Sequence, residues 1–377
     1  SFYNYHHNDG VPYDGNHALG GTNFGYTQEG ITPTLNPATY AQKAADQPLC
    51  PHAENMVVHG GLDQSGEFYD WWQERDLQPL VGEVKVPVLM AQGLADWNVK
   101  PNHIANWFND LAPNGSKTLI GGQWGHAYPS AADDAYGDWW QYVTAFFDTF
   151  LKEIDTGMFQ TDVAWIQSND GTWHRSAEWP ILNSAVMQFH LQPDGSLGNE
   201  PATEGTASWH GCGRDQFNMG AVGVEIVEEQ LSQCENTNLV FQTEPFASDV
   251  RLQGVPLLHL NLHVEAETTH ITVVMDQLDE SGNVVVSREN YGYLNPIYRN
   301  GILHPEPVES GPMQLTVDFY PQEDFVKAGN SLRFTIASID GGRSIEFFPE
   351  GDNTIHWPGE NRIDLPIRPA ELLGTRL

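Results

Sequence analysis

The 377-residue sequence predicts an α/β layer followed by an all-β module, and three observations carry that reading. Two short apolar runs, each followed by a helical period, stand between positions 85 and 154. Beyond Thr156 the apolar residues alternate with a period of two, and no helical period returns. The length suffices for two domains with separate cores, and a hydrophobic content of 40% argues against disorder.

Residues 1–80 lack strong periodicity and are rich in Gly, Asn, His and Tyr, with one candidate helix over 66–75. Long irregular segments in compact proteins are usually functional, so a lid or insertion is expected here. From Lys85 the character changes. Val86-Pro87-Val88-Leu89-Met90 leads to Gly93, as expected of a buried parallel strand. A loop over 94–100 follows, and Pro101 suits a first helical position, where its missing N–H has no helical partner to lose. Ile104, Trp107, Phe108 and Leu111 fall at i, i+3, i+4 and i+7, one helical face, which Asn114-Gly115 closes. Thr118-Leu119-Ile120 predicts a second strand. A helix over 134–154 would present Trp139, Tyr142, Val143, Phe146 and Phe150 on one side. Strand, helix, strand, helix implies a parallel sheet over 81–158. In 159–377, Leu258, Leu260, Leu262 and Val264 alternate cleanly, as do Leu315, Val317 and Phe319, then Leu332, Phe334 and Ile336. Turn signals such as Glu280-Ser281-Gly282-Asn283 separate the runs, so a jelly-roll β-sandwich is expected.

There are 50 Asp and Glu against 17 Lys and Arg, a formal net charge of -33. That field repels nucleic acid, and no nucleic-acid partner is expected. The acids are scattered, as on a solvated acidic surface that keeps a protein soluble when salt screens charge. Halophilic or marine origin and an ordinary acidic secreted protein both fit. No apolar run reaches the roughly 18 residues of a membrane span, so no membrane partner is expected. The 3 Cys fit no zinc spacing, and neither metal nor cofactor is expected. A Cys212–Cys234 bridge in an oxidising compartment and three reduced thiols are both compatible with the sequence.

In open α/β sheets, catalytic groups sit beyond the carboxyl ends of strands. Asp96 lies three residues past Gly93, and His126 lies just past the next strand among Gly121, Gly122 and Gly125. An acid and a His in adjacent strand-end loops, in that order, close an α/β-hydrolase triad after an upstream Ser. His126 would take the nucleophile's proton, and Asp96 would fix its tautomer and stabilise the imidazolium. Most of the 15 His must be surface or packing residues, and Asp96 alone suits a turn or helix cap. The glycines, which let the backbone turn sharply, single His126 out.

Two segments, "VKVPVLMAQGLADWNVKPNH" and "GGQWGHAYP", resemble the Asp-bearing and His-bearing stretches of the Xaa-Pro dipeptidyl-peptidases, CocE/NonD-type α/β-hydrolases. "EFYDWWQERD" and the opening "SFYNYHHNDG" resemble upstream family stretches, and "VSRENYGYLNPIYRNG" with "VDFYPQEDFVKAGNSLRFTIAS" resembles the family's jelly roll. The jelly-roll segments are shared with cocaine esterase, α-amino-acid ester hydrolases and glutaryl acylases. The Asn98-Val99 pair and the lid-like start favour the dipeptidyl-peptidase branch. The resemblance implies release of Xaa-Pro dipeptides from peptide amino termini through an acyl-enzyme.

One departure stands out. No Ser lies in the family's G-x-S-x-G frame; Ser65 and Ser331 both miss it. The expectation is therefore a carboxy-terminal part of an α/β-hydrolase domain, completed by an amino-terminal fragment that carries the nucleophile. An open sheet edge favours association, homo-oligomers included. Glu74, Asp76 and Trp97 are the candidate residues for binding the peptide substrate, although Arg75 suits a structural network with the two acids. An extracellular or periplasmic location is expected. The alternatives are a related ester or amide hydrolase, and a non-catalytic fragment whose 12 Trp serve sugar stacking or core packing.

Overall fold

The computed structural model describes residues 68, 70–74, 76–96, 99–111, 117–125, 127, 129, 139–159, 162–181, 184–213, 234–285, 290–339 and 348–368. The candidate helix at 66–75 is represented by one turn, α1 (Asp70–Gln73), followed by a 3-10 helix, Gln78–Glu83.

The first sheet runs β1 (Val88–Gly93), β2 (Lys117–Gly122), β3 (Val163–Gln167) and β4 (Trp173–Ser176), paired in that order. The first three strands are parallel, and β4 returns antiparallel to β3. Between β1 and β2 stands α2 (Pro101–Asp110), with Pro101 at its start as expected. Its Phe108 and Ala105 pack with Leu119 and Ile166 on one face of the sheet. Every residue of β2 is buried, as a central strand covered on both faces requires. The other face is covered by α3 (Trp139–Leu151), whose Tyr142 and Phe146 meet Phe159 edge-on at 5.4 Å. The periodic faces expected of both helices are the faces they bury.

The sequence offered Asn114-Gly115 as the stop for α2, and those positions lie outside the described residues. What is described is a side-chain cap. The buried Lys117 ammonium donates to the carbonyls of Phe108 and Leu111, both at 2.9 Å. A cation there also complements the negative end of the helix dipole.

The division expected at 158/159 does not coincide with the hydrogen-bonded sheet. Beyond it, β3 and β4 extend the parallel layer before the sandwich begins. A period-two pattern reports a strand and not the sheet it joins.

The sandwich comprises β5 (Ala185–Leu191), β6 (Leu197–Gly198), β7 (Gly205–Gly211), β8 (Asn238–Gln242), β9 (Val250–Gly254), β10 (Leu257–Val264), β11 (Ile271–Leu278), β12 (Tyr291–Leu294), β13 (Met313–Asp318), β14 (Gln322–Val326), β15 (Ser331–Ala337), β16 (Gly351–Trp357) and β17 (Arg362–Ile367). One layer holds β12-β11-β15-β8 and the other the remaining nine strands. Leu258, Leu260 and Leu262 of β10 are fully buried against Val273, Met275 and Phe334 of the opposite layer, while His259, Asn261 and His263 face outward. Cys212 and Cys234 form a disulfide, which resolves the alternative left open by sequence.

The turn between β3 and β4 fastens this sandwich to the first sheet. Asn169 accepts from the Phe325 amide at 2.7 Å and donates to its carbonyl at 3.2 Å, substituting for a strand neighbour of β14. Asp170 pairs with Arg251 of β9 at 2.7 Å.

Candidate active site

The loops after β1 and β2 lie against each other, backbone on backbone. Leu94 N donates to Gly122 O at 2.7 Å, and Ala95 N donates to Trp124 O at 3.1 Å. A side chain at Gly93 would collide with the carbonyl oxygens of Trp124 and Gly125, so this contact requires glycine at the end of β1. Gly93→Ala is expected to destabilise the protein by about 1–3 kcal/mol. Thermal unfolding of the variant beside the parent checks this.

Asp96 occupies the strand-end position expected of it and is 6% exposed. Its Oδ1 accepts from Val99 N at 2.9 Å, which fixes the rotation of the carboxylate. A carboxyl group this deep needs such hydrogen-bond partners. Gln92, which sequence reasoning missed, braces the same loop. Its buried amide donates to Gly93 O at 2.9 Å and Val99 O at 2.8 Å, spanning the turn that carries Asp96. Nothing in the sequence distinguishes Gln92 from any polar residue near a strand end.

A cavity of about 750 Å³ opens beside Asp96, lined by Gln92, Val99, Trp124, Trp139 and Val143 among others. Its size falls within the usual range for small-molecule and peptide sites. Two faces of the α/β layer thus converge on it: the Asp96 loop and the start of α3.

His126 and Trp97 lie outside the described residues, as do Ser65 and nearly all of the expected lid. The chain on either side of position 126 is described. Trp124 is tied to the Asp96 loop through Ala95, and Ala127 N donates to Gly125 O at 2.7 Å. Glu74 is exposed, and neither Glu74 nor Asp76 is among the residues lining the Asp96 cavity. Asp76 instead accepts from Gln78 N at 3.0 Å, a local turn leading into the 3-10 helix. Its charge also acts on His103 of α2, whose pKa is nevertheless lowered to about 4, chiefly by burial. His103 is therefore a neutral ring at ordinary pH.

No group of His, Cys, Asp and Glu suited to a metal ion occurs among the described residues.

Two family models match the chain. Residues 1–128 match the X-Pro dipeptidyl-peptidase (S15 family) model, and residues 158–363 match the X-Pro dipeptidyl-peptidase C-terminal non-catalytic domain. A Bacillus anthracis protein provisionally named Xaa-Pro dipeptidyl-peptidase is 22% identical over 294 residues, covering 78% of this chain and 47% of the relative. The chain spans about half the length of the first curated relatives it matches. A CocE/NonD family hydrolase from Staphylococcus aureus superposes with a TM-score of 0.67 at 14% identity, covering 96% of this chain and 64% of that one. An α-amino acid ester hydrolase superposes with a TM-score of 0.64 at 17% identity, covering 87% and 62%. At these identities the two structures speak to fold alone, and both share the CocE/NonD-type α/β arrangement found here.

Proposed function

Because the chain belongs to the X-Pro dipeptidyl-peptidase family of serine peptidases and hydrolases, we propose that it supplies the acid and the histidine of a triad that releases Xaa-Pro dipeptides from peptide amino termini. The observation that carries this reading is the buried, hydrogen-bonded Asp96 at the end of β1, in a loop bound to the strand-end turn that leads into His126. In the proposed mechanism His126 removes the proton from a serine hydroxyl as it attacks the carbonyl carbon. The resulting imidazolium is stabilised by Asp96 and then protonates the departing amine. Water, deprotonated by the same ring, hydrolyses the acyl-enzyme.

The 377 residues contain no G-x-S-x-G, so the proposal places the nucleophile on residues beyond them. The functional unit is then an assembly with that serine-bearing part, and the described edge of β1 is a surface where more sheet would add. An extracellular or periplasmic setting belongs to the same reading, supported by the Cys212–Cys234 bridge, which persists in oxidising compartments.

The test uses the full-length protein and a chromogenic Ala-Pro amide. A serine-reactive phosphonate should label the G-x-S-x-G serine. His126→Ala should lower turnover by several orders of magnitude, leaving only what binding and oxyanion stabilisation supply. Near-normal turnover in that variant would remove His126 from the mechanism. Hydrolysis of amino-acid esters with no cleavage of the Xaa-Pro amide would redirect the reading to an ester hydrolase.

A further inference from the structure

A second cavity, of about 400 Å³, lies between α2 and the sandwich and shares no described lining residue with the Asp96 cavity. Asn102, His103, Tyr298, Arg299, Thr316 and Asp318 are among its walls.

The hydrogen-bond polarity of this cleft follows from its surroundings. Asp364 accepts from Arg362 Nε at 3.0 Å and Gln188 Nε2 at 3.1 Å, and it meets His259 Nε2 at 3.1 Å. An ionised carboxylate only accepts, so His259 carries its hydrogen on Nε2. Thr316 Oγ1 stands 3.0 Å from Nδ1 of the same ring. The Thr316 hydroxyl keeps a lone pair to offer whichever way that bond runs. The carboxylate of Asp318, two residues further along β13 and on the same strand face, feels the charge of His259 and makes no hydrogen bond with a described residue. The buried Asn102 Oδ1 also lacks a partner. The guanidinium on the walls, Arg299, is committed to Pro296 O, Glu306 and Glu309.

Uncommitted acceptors call for a ligand that donates, since leaving them unmatched on occupation is costly. Charge points the same way. Asp318 is the one carboxylate among the described lining residues, Arg299 is already paired with Glu306 and Glu309, and the chain's net charge of -33 enriches cations around it. Lys100, over the Tyr293 ring at 5.2 Å, is not a lining residue. His103 stays uncharged, its pKa held near 4 by burial, and does not oppose a cation. Asp318 stands exposed on the cleft wall, where partial desolvation raises its pKa against the opposing charge of nearby His259.

We propose that this cleft is a binding site for a guanidinium or primary ammonium group, with Asp318 as its charge partner and Thr316 and Asn102 as further acceptors. It stands independently of the catalytic reading, because its test is binding and not turnover.

Calorimetric titration of the full-length protein with agmatine and with Nα-acetyl-arginine amide provides that test. Saturable single-site binding is expected for at least one. The tighter ligand shows whether the site favours a free amine or a basic peptide side chain. The uncharged isostere Nα-acetyl-citrulline amide should give no saturable heat. Asp318→Asn should weaken binding roughly tenfold or more, because it removes one partner of a charge pair. Thr316→Val should weaken it several-fold, and Asp194→Asn, the same charge change at an exposed sandwich turn, should leave it unchanged. Absence of saturable binding, citrulline binding equal to arginine, or equal losses in Asp318→Asn and Asp194→Asn would each overturn the proposal.

Discussion

Asp96→Asn in the full-length enzyme is expected to lower turnover about ten-thousandfold with little change in KM. The substitution isolates one property. Asparagine keeps an oxygen for Val99 N, so the turn after β1 should hold its shape, and Gln92 continues to brace it from the other side. What is lost is the negative charge. The amide can also donate to the imidazole, stabilising the tautomer unable to accept the serine proton, and it cannot offset the charge of the imidazolium. Steady-state kinetics on the chromogenic Xaa-Pro amide separate the two parameters. A rise in KM at constant turnover would mean that Asp96 shapes the substrate cavity and does not serve the histidine. Unchanged kinetics would leave it with a purely structural role at the loop.

The largest expected stability effect lies elsewhere, at Glu323 and Arg368. Their side chains are each 1% exposed, and Arg368 Nη1 donates to Glu323 Oε1 at 2.8 Å. Removing either partner breaks this buried pair and leaves the other charge without it, at a cost of about 3–5 kcal/mol. Arg368→Met and Glu323→Leu alone should each lower Tm by roughly 10 °C, from about 2–4 °C per kcal/mol in a domain of this size. The double variant should recover most of the loss, because a packed apolar pair avoids desolvating two charges. Thermal unfolding of all three decides it. Single variants that melt with the parent would show that water or another group reaches the site. The same region joins the two sheets: Arg368 N donates to Arg251 O at 2.8 Å, and Arg251 holds Asp170.

The elements that sequence anticipated are those in which apolar side chains repeat with one dominant period. Ile104, Phe108 and Leu111 mark the buried face of α2, and Leu258 to Val264 mark β10, because burial on one side leaves a periodic trace. Asp96 was anticipated for a different reason, since a glycine-ended strand fixes where an acid will stand. His126 was singled out by the same logic and lies outside the described residues. Partners distant in the chain leave no such trace. Lys117 capping α2, Asn169 substituting for a strand beside β14, and Gln92 bracing the Asp96 loop are ordinary polar residues until the fold gathers them. Cysteine pairing was open for the same reason. The acceptor-rich cleft was not visible at all, because Asn102, Thr316 and Asp318 meet only when helix and sandwich do.

The β3–β4 hairpin has a consequence for how such enzymes evolve. The family model for the non-catalytic domain begins at residue 158, yet β3 pairs in parallel with β2. A recombination event at that point would carry two strands of the hydrolase sheet along with the sandwich, and the recipient's β2 would have to pair with a foreign β3. Exchange between lineages is therefore expected to succeed only where donor and recipient match at the β2–β3 seam. The piece that travels with least damage begins after Ser176, with the Asn169 and Asp170 contacts rebuilt on arrival.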